Sequence, residues 1–276
     1  MNPLNVAKLL LPPVVIEVWR IIQSRQGRDY GISGDYSSWD EALHASTGYD
    51  TDLILEKTKA ALLKVKKGEA IYERDSVMFN EIQYSWPLLA GLMWVAAQSL
   101  GQLNVLDFGG SLGSTYYQNC AFSRNLPEVR WNIIEQPAHV KVGKEYFENE
   151  VLKFFPDIET CLYETKPNVI LLSGVLQYLE SPYEMLNKLL DLPCDYLIID
   201  RTSFWDGSKD RLCVQQVPPS IYPASYPIWI FSEHNFLQHI QKRDFEIVAE
   251  FQSLDKIKAP IHAVWKGMML ERKKSF

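Results

Sequence analysis

Asp107 closes an apolar run in the stretch NVLDFGGSLGSTYYQ, and after Phe108 the chain reads Gly109, Gly110, Ser111, Leu112 and Gly113. Glycine reaches positive φ and carries no Cβ, so a turn this poor in side chains lets a ligand approach the backbone. The dinucleotide fingerprint requires glycines two and five positions after the first. Counted from Gly109, those positions hold Ser111 and Ser114; counted from Gly110, they hold Leu112 and Thr115. The fingerprint fails in both frames, and an acid beside the turn repels a pyrophosphate.

An acid in that place suits a ligand with a cationic end. S-adenosylmethionine carries a sulfonium, an ammonium and a carboxylate, and no phosphate. Asp107 would serve the cationic end. The backbone of Gly109, Gly110, Ser111 and Gly113, with the helix N-terminus behind it, would receive the carboxylate. The same logic asks for a second acid at the end of the next strand to hold ribose hydroxyls. Glu135, followed by Gln136 in RWNIIEQP, stands 28 positions on (135 − 107). Asp157, after LKFF, is placed to accept from the adenine amine, and Ser173, Gly174 and Gln177, after NVILLS, would wall the methionine end. Read singly, each later acid is equally a helix cap or a solvated strand end. Three acids ending successive strands favour the cofactor. No cluster of Cys and His has metal-ligand spacing, so no metal is expected.

Methyl transfer from a sulfonium is an in-line displacement that depends on proximity and alignment, and a hydroxyl acceptor also needs a base. The candidates follow later strands: Asp200 and Arg201 after YLII, Tyr178 after SGVLQ, and Tyr222, Tyr226, Trp229, Glu233 and His234 in VQQVPPSIYPASYPIWIFSEH. That last segment reads as a proline-stiffened loop able to form an aromatic wall. Each candidate has a plainer reading. Asp200 and Arg201 make a structural ion pair, Tyr222 is a packing residue, and Ser232 caps a helix that carries Glu233 and His234 in its first turn. ERDSVMFNE, with Glu73, Arg74 and Asp75, is a lid over the cofactor or a structural salt-bridge cluster. No Asn/Asp-Pro-Pro-aromatic tetrad follows the fourth strand, so methylation of a nucleobase amine loses support.

The elements that must position these groups follow from periodicity. From residue 103, β-like runs alternate with helices: LNVLDF, RWNIIEQ, LKFF, NVILLSG and DYLIIDR. Such a rhythm implies a parallel sheet covered on both faces, here a Rossmann-like, doubly wound α/β fold. SEHNFLQHIQKR reads as a helix, and FEIVAEFQSLD with HAVWKGMMLERK as an antiparallel pair closing one edge. Residues 1–100 read as a mostly helical extension or cap, and residues 101–276 as the cofactor-binding domain. Within the extension, Ile54, Thr58, Ala61, Leu62 and Val65 recur at helical spacing before Gly68, and a second helix starts near Ser85 with Pro87 in its first turn and Gly101 as its stop. GEAIYERDSVMFNEIQYS, between them, has no clear period.

Composition narrows the classes. Lys and Arg total 28 against 34 Asp and Glu, a net charge of -6, with 47% hydrophobic residues. There is no basic, aromatic-interleaved stripe of the kind nucleic acids require. The four cysteines are scattered, which fits reduced thiols in the cytoplasm. The apolar N-terminal stretch is interrupted by Pro12, Pro13, Glu17 and Arg20, too broken for a transmembrane span. A helix from Pro13 is expected to pack on the protein or on a second copy, with weak membrane-surface contact as the alternative.

These residues resemble class I S-adenosylmethionine-dependent methyltransferases. More narrowly, the chain resembles a family of bacterial methyltransferases often associated with surface-polysaccharide genes. The matching segments are GDYSSWDEA, STGYD, ERDSVMFNEI, VLDFGGSLGSTYYQN, WNIIEQP, VILLSGVLQYLESP, YLIIDRTSF and VQQVPPSIYPASYPIWIFSE, which span nearly the whole chain. The resemblance implies a seven-stranded methyltransferase sheet, matches Asp107, Gly109 and Gly113 to the first methyltransferase motif, and matches Glu135 to the ribose-binding acid. Ser111 departs from that motif, where a middle glycine is usual. The expectation is a methyltransferase acting on a small molecule or glycan hydroxyl; the alternative is a catalytically idle binder of the same cofactor.

Overall fold

A computed structural model of the chain describes residues 30–48, 51–218, 221–255, 257 and 259–273. The helix expected from Pro13 lies outside the described residues. The elements are β1 (Gly31–Tyr36), α1 (Trp39–His44), α2 (Thr51–Lys66), β2 (Tyr72–Arg74), β3 (Val77–Phe79), α3 (Trp86–Gln98), β4 (Gln102–Phe108), α4 (Ser114–Ser123), β5 (Glu128–Ile134), α5 (Pro137–Tyr146), β6 (Leu152–Phe155) and α6 (Ile158–Glu164). They continue with β7 (Val169–Ser173), a 3-10 turn (Leu176–Tyr178), α7 (Pro182–Leu190), β8 (Tyr196–Trp205), β9 (Arg211–Gln216), β10 (Ser225–Ser232), α8 (Glu233–Gln241), β11 (Phe245–Gln252) and β12 (Val264–Arg272).

Ten strands form one sheet among the described residues. Seven of them run β6-β5-β4-β7-β8-β12-β11, the first five parallel and β12 antiparallel to both neighbours. The parallel strands read as apolar runs because both faces are covered. Alternate residues divide cleanly. Leu106, Ile134, Ile170, Leu172, Leu197 and Ile199 join a core with α6, α7 and α8. Leu103, Val105, Ile133, Val169, Leu171 and Ile198 join a second core with α2, α3 and α5. By the same period of two, Asp107 and Asp200 belong to the α3 side, Asp107 at the carboxyl end of β4 and Asp200 at the last residue of β8 paired with β7. The strand order reverses between β4 and β7, so the ligand crevice of such a sheet lies at the carboxyl ends of these two strands.

The expected α/β architecture, with its closing antiparallel pair, is present. One reading needs correction. The segment read as a loop over Val214–His234 is mostly strand: β9 and β10 pair antiparallel, and β10 pairs parallel with the last two residues of β8. Prolines at 218, 219, 223 and 227 suggested a loop, but only the first three fall between the strands; Pro227, inside β10, is opposite Val214 of β9. The N-terminal extension, expected to be mostly helical, carries three helices and also three short strands among the described residues. β1 pairs with β9 at the sheet margin, and the aperiodic stretch forms the β2–β3 hairpin.

α5 approaches β6 closely because Gly143 has no Cβ: one placed there would lie 2.4 Å from the Phe154 ring, itself 1% exposed. Gly143→Ala gains about 1 kcal/mol of helix propensity but forces a buried aromatic ring to move, which costs about 1–3 kcal/mol. The variant is expected to have a lower urea midpoint than the wild type.

Candidate functional site

The turn after β4 is built from backbone that side chains would obstruct. Gly109 has φ +72°, and a Cβ there would lie 2.5 Å from Val175 in the loop after β7. At Gly110 a Cβ would lie 2.5 Å from the Asp107 carboxyl. Gly113, at φ +100°, is the N-cap of α4 and donates its N–H to the Gly110 carbonyl at 3.0 Å. Ser111 adopts φ +53°, a left-handed conformation that costs a non-glycine residue about 1 kcal/mol, and its N–H donates to Glu135 Oε1 at 3.2 Å. Serine is accommodated at this place because Glu135, at the end of β5, holds the turn in that shape. Glu135 Oε2 accepts the Gln136 N–H at 2.8 Å, and Gln136 is exposed.

Asp107 is 1% exposed and lies behind the turn, where Oδ2 accepts the Trp131 indole N–H at 2.8 Å. Burial pushes its pKa up to about 7 against the lowering effect of that hydrogen bond. Asp107, expected at the ligand's cationic end, thus lies directly beneath the turn, with Oδ2 held by Trp131. Asp157 is exposed and caps α6 by accepting the Thr160 N–H at 2.7 Å. Ser173 ends β7, and Gly174, at φ +68°, donates its N–H to the Asp200 carbonyl at 3.0 Å. Gln177 is 1% exposed; its amide donates to the Arg201 carbonyl at 2.8 Å, and its Oε1 has no donor.

Asp200 and Arg201 are held firmly. Asp200, 1% exposed, accepts the Ser253 hydroxyl at 2.6 Å, the Arg201 N–H at 2.8 Å and the Ser85 hydroxyl at 3.3 Å. Burial raises its pKa. Arg201, at φ +57°, directs its guanidinium to Asp255 at 2.7 Å and to Asp75 on the β2–β3 hairpin. Tyr178 donates to Gln215 Oε1 at 2.9 Å, and its ring meets that of Tyr226 edge-on at 5.4 Å.

Two further acceptor-base candidates have other surroundings. His234 is exposed in the first turn of α8, where it pairs with Gln238 at 3.0 Å beyond the Ser232 cap. Tyr222 is buried with Ile54, Val217 and Ala224, and burial raises its pKa.

Sequence reasoning left the role of the hairpin undecided. Its Asp75–Ser76 turn has positive φ at both residues, the type I′ shape that fits strand twist. Glu73, 1% exposed, accepts the Ser76 N–H at 2.7 Å and the hydroxyl of Ser114, the first residue of α4. Burial lifts its pKa to about 7. The hairpin thus reaches α4 through Glu73 and β8 through Asp75, spanning the carboxyl edge. The one signal in the sequence was Glu73, Arg74 and Asp75 in a segment flanked by aromatic residues. Among the non-glycine residues described, four of the five with positive φ, namely Asp75, Ser76, Ser111 and Arg201, belong to this region; strained backbone of this kind concentrates at functional sites.

Among the described residues, no group of three or more His, Cys, Asp or Glu could hold a metal ion, and no helix is long and apolar enough to cross a membrane. Two open grooves of about 360 Å³ each flank β5, β6 and α6; neither is lined by Asp107, Glu73 or Asp200.

No family model and no curated protein sequence matches the chain. Solved structures do. The N-terminal domain of EvdMO1, solved in the presence of S-adenosylhomocysteine and D-fucose, is 12% identical with TM-score 0.48, the match covering 82% of this chain and 98% of that one. A S-adenosylmethionine-dependent methyltransferase from Clostridium acetobutylicum is 9% identical with TM-score 0.47, covering 78% and 98%. Magnesium protoporphyrin IX methyltransferase from Synechocystis, with its cofactor bound, is 15% identical with TM-score 0.44, covering 82% and 99%.

A carboxyl whose folded pKa is raised binds more protons folded than unfolded between its ordinary value and the folded one. Its folded state is then fully favoured at low pH and loses stability as pH rises toward about 7. Thermal melts of the ligand-free protein between about pH 4 and about pH 8 should show this slope reduced in Asp107→Asn relative to the wild type.

Proposed function

We propose that the chain is a S-adenosylmethionine-dependent methyltransferase acting on a small molecule or glycan, with a hydroxyl as acceptor. Residues 101–276 form the cofactor-binding domain in this reading, and the preceding segment caps it. The observation that carries the proposal is the accumulation of buried acid at the carboxyl edge: Glu73, Asp107 and Asp200 are each 1% exposed, and burial raises the pKa of all three. A pyrophosphate would worsen that field; a ligand bearing sulfonium and ammonium groups relieves it.

The residues present fit this cofactor. Gly109 and Gly110 let the turn pack directly on Val175 and the Asp107 carboxyl, where a Cβ would collide, so the turn meets a ligand with backbone alone, and Gln177 presents a buried amide oxygen without a donor. Glu135 keeps lone pairs beyond those taken by Ser111 and Gln136, and a carboxylate at the end of β5 suits a pair of ribose hydroxyls. The N-terminus of α4 suits a carboxylate. When bound, the cofactor supplies an activated methyl group. The chain's own contribution is alignment: the hairpin, the loop after β7 and the Arg201 cluster restrict access to the edge and exclude water. Asp200 stands nearest to a base role, because its raised pKa favours accepting a proton from a hydroxyl and Ser85 connects to it as a hydroxyl neighbour.

A second reading, a binder that has lost turnover, is favoured by one observation: Asp200, the nearest base candidate, already accepts three hydrogen bonds. Isothermal titration with S-adenosylhomocysteine, with NAD as control, is expected to show saturable binding of the first alone; binding of NAD alone would contradict both readings. Transfer of label from S-adenosylmethionine to a panel of nucleotide sugars and glycans separates the enzyme from the idle binder. Glu135→Ala is expected to weaken S-adenosylhomocysteine binding about tenfold to a hundredfold, the effect of losing a charged acceptor. Unchanged affinity would remove Glu135 from the site.

A further inference from the structure

In the cofactor reading, Asp107, the acid expected at the amino-acid end, lies beneath the turn and is already partly engaged. Its Oδ2 takes the Trp131 indole N–H at 2.8 Å, and the backbone of Gly110 sits so close that a Cβ there would lie 2.5 Å from the carboxyl.

We propose that Glu73, carried on the β2–β3 hairpin, binds the α-ammonium of the cofactor, with Gln177 Oε1 as the second acceptor. The inference rests on the methyltransferase reading and adds to it the residue that reads the amino-acid end. Glu73 stands at the right place in the chain of contacts: the hydroxyl of Ser114, first residue of α4 and next to the Gly113 cap, donates to it. It is 1% exposed and has no salt-bridge partner among the described residues. Arg201, the cation on the neighbouring contact, is already engaged by Asp75 and Asp255. Buried acids are ordinarily paired, so Glu73 is an acceptor that lacks its counter-charge.

Gln177 is an independent observation pointing the same way. It is 1% exposed, and its amide N–H₂ is fixed on the Arg201 carbonyl, so its oxygen is an oriented acceptor with no donor. Buried polar atoms without partners are uncommon in folded proteins and call for an explanation. Gln177 and Glu73 are linked through Arg201, which bonds the Gln177 amide by its carbonyl and Asp75 of the hairpin by its guanidinium. An ammonium has three N–H donors, enough for both acceptors. The hairpin then discriminates a ligand with an amino-acid end from a bare nucleoside.

The test compares S-adenosylhomocysteine with 5′-deoxy-5′-methylthioadenosine, which shares the adenosine and thioether and lacks the amino-acid end, on the full chain by isothermal titration. Glu73→Gln keeps the size of the side chain and removes its charge. It is expected to lower affinity for S-adenosylhomocysteine about tenfold or more while leaving the methylthioadenosine affinity within about twofold, which also reports an intact site. Gln177→Leu is expected to lower the same ligand selectively by a smaller factor. Equal loss for both ligands in Glu73→Gln, or no loss for either, overturns the assignment of Glu73. Wild-type protein that binds methylthioadenosine as tightly as S-adenosylhomocysteine overturns the inference and leaves the cofactor reading standing. Failure of the wild type to bind either ligand overturns the cofactor reading itself.

Discussion

A carboxylate held in a protein interior without a cation favours its neutral form, and several at one sheet edge bias that edge toward positive ligands. The arrangement here follows from strand periodicity. Asp107 stands at the carboxyl end of β4 and Asp200 where β8 ends its pairing with β7, on the face covered by α3, and Glu73 enters from the hairpin above α4. The surrounding architecture serves these groups. Trp131 supports Asp107, Ser253 and Ser85 support Asp200, and Ser76 and Ser114 support Glu73. Each acid's direct hydrogen-bond donors are neutral; the Arg201 cation acts on Glu73 and Asp200 from beyond hydrogen-bond contact and does not outweigh burial.

The second constraint is continuity between the N-terminal segment and the sheet. β1 pairs with β9, α2 fixes the hairpin turn through Thr58 and Ser76 at 2.7 Å, and Asp75 meets Arg201. The cap therefore belongs to the same structural unit as the edge it covers. Arg201 joins the parts: its backbone lies at the end of the β7–β8 pairing, its carbonyl anchors Gln177, and its guanidinium ties the hairpin to Asp255 beyond β11. A positive φ at that residue marks where the long strand β8 changes partners from β7 to β10.

What could be read in the sequence was whatever local pattern fixes. Apolar runs ending in Asp107, Glu135 and Asp200 identified β4, β5 and β8, and Ser232 and Gly68 marked the start of one helix and the stop of another, because burial on both faces and capping leave signatures within a few residues. What escaped was set by distant partners. The hydrogen bond that holds Asp107 left no local signal because its donor, Trp131, lies one strand away. The 214–234 stretch read as a loop because its prolines obscured a strand stabilised by β9 and β8. Glu73 carried no periodic signal at all; its importance comes from a contact 41 residues along the chain, with Ser114. Asp157 shows the opposite case, where the local capping rule was the whole explanation.

The central claim is that acids at the carboxyl edge are short of positive charge until a cationic ligand binds. Proton linkage tests it most directly. Titrations with S-adenosylhomocysteine near pH 6.5 to 7 in buffers of differing ionisation enthalpy measure the protons exchanged on binding, around the value of about 7 to which burial lifts Glu73 and Asp107. If an ammonium restores the charged form of these carboxyls, binding releases protons, and the released fraction falls as pH rises. Binding without proton exchange, or with proton uptake, would contradict the account.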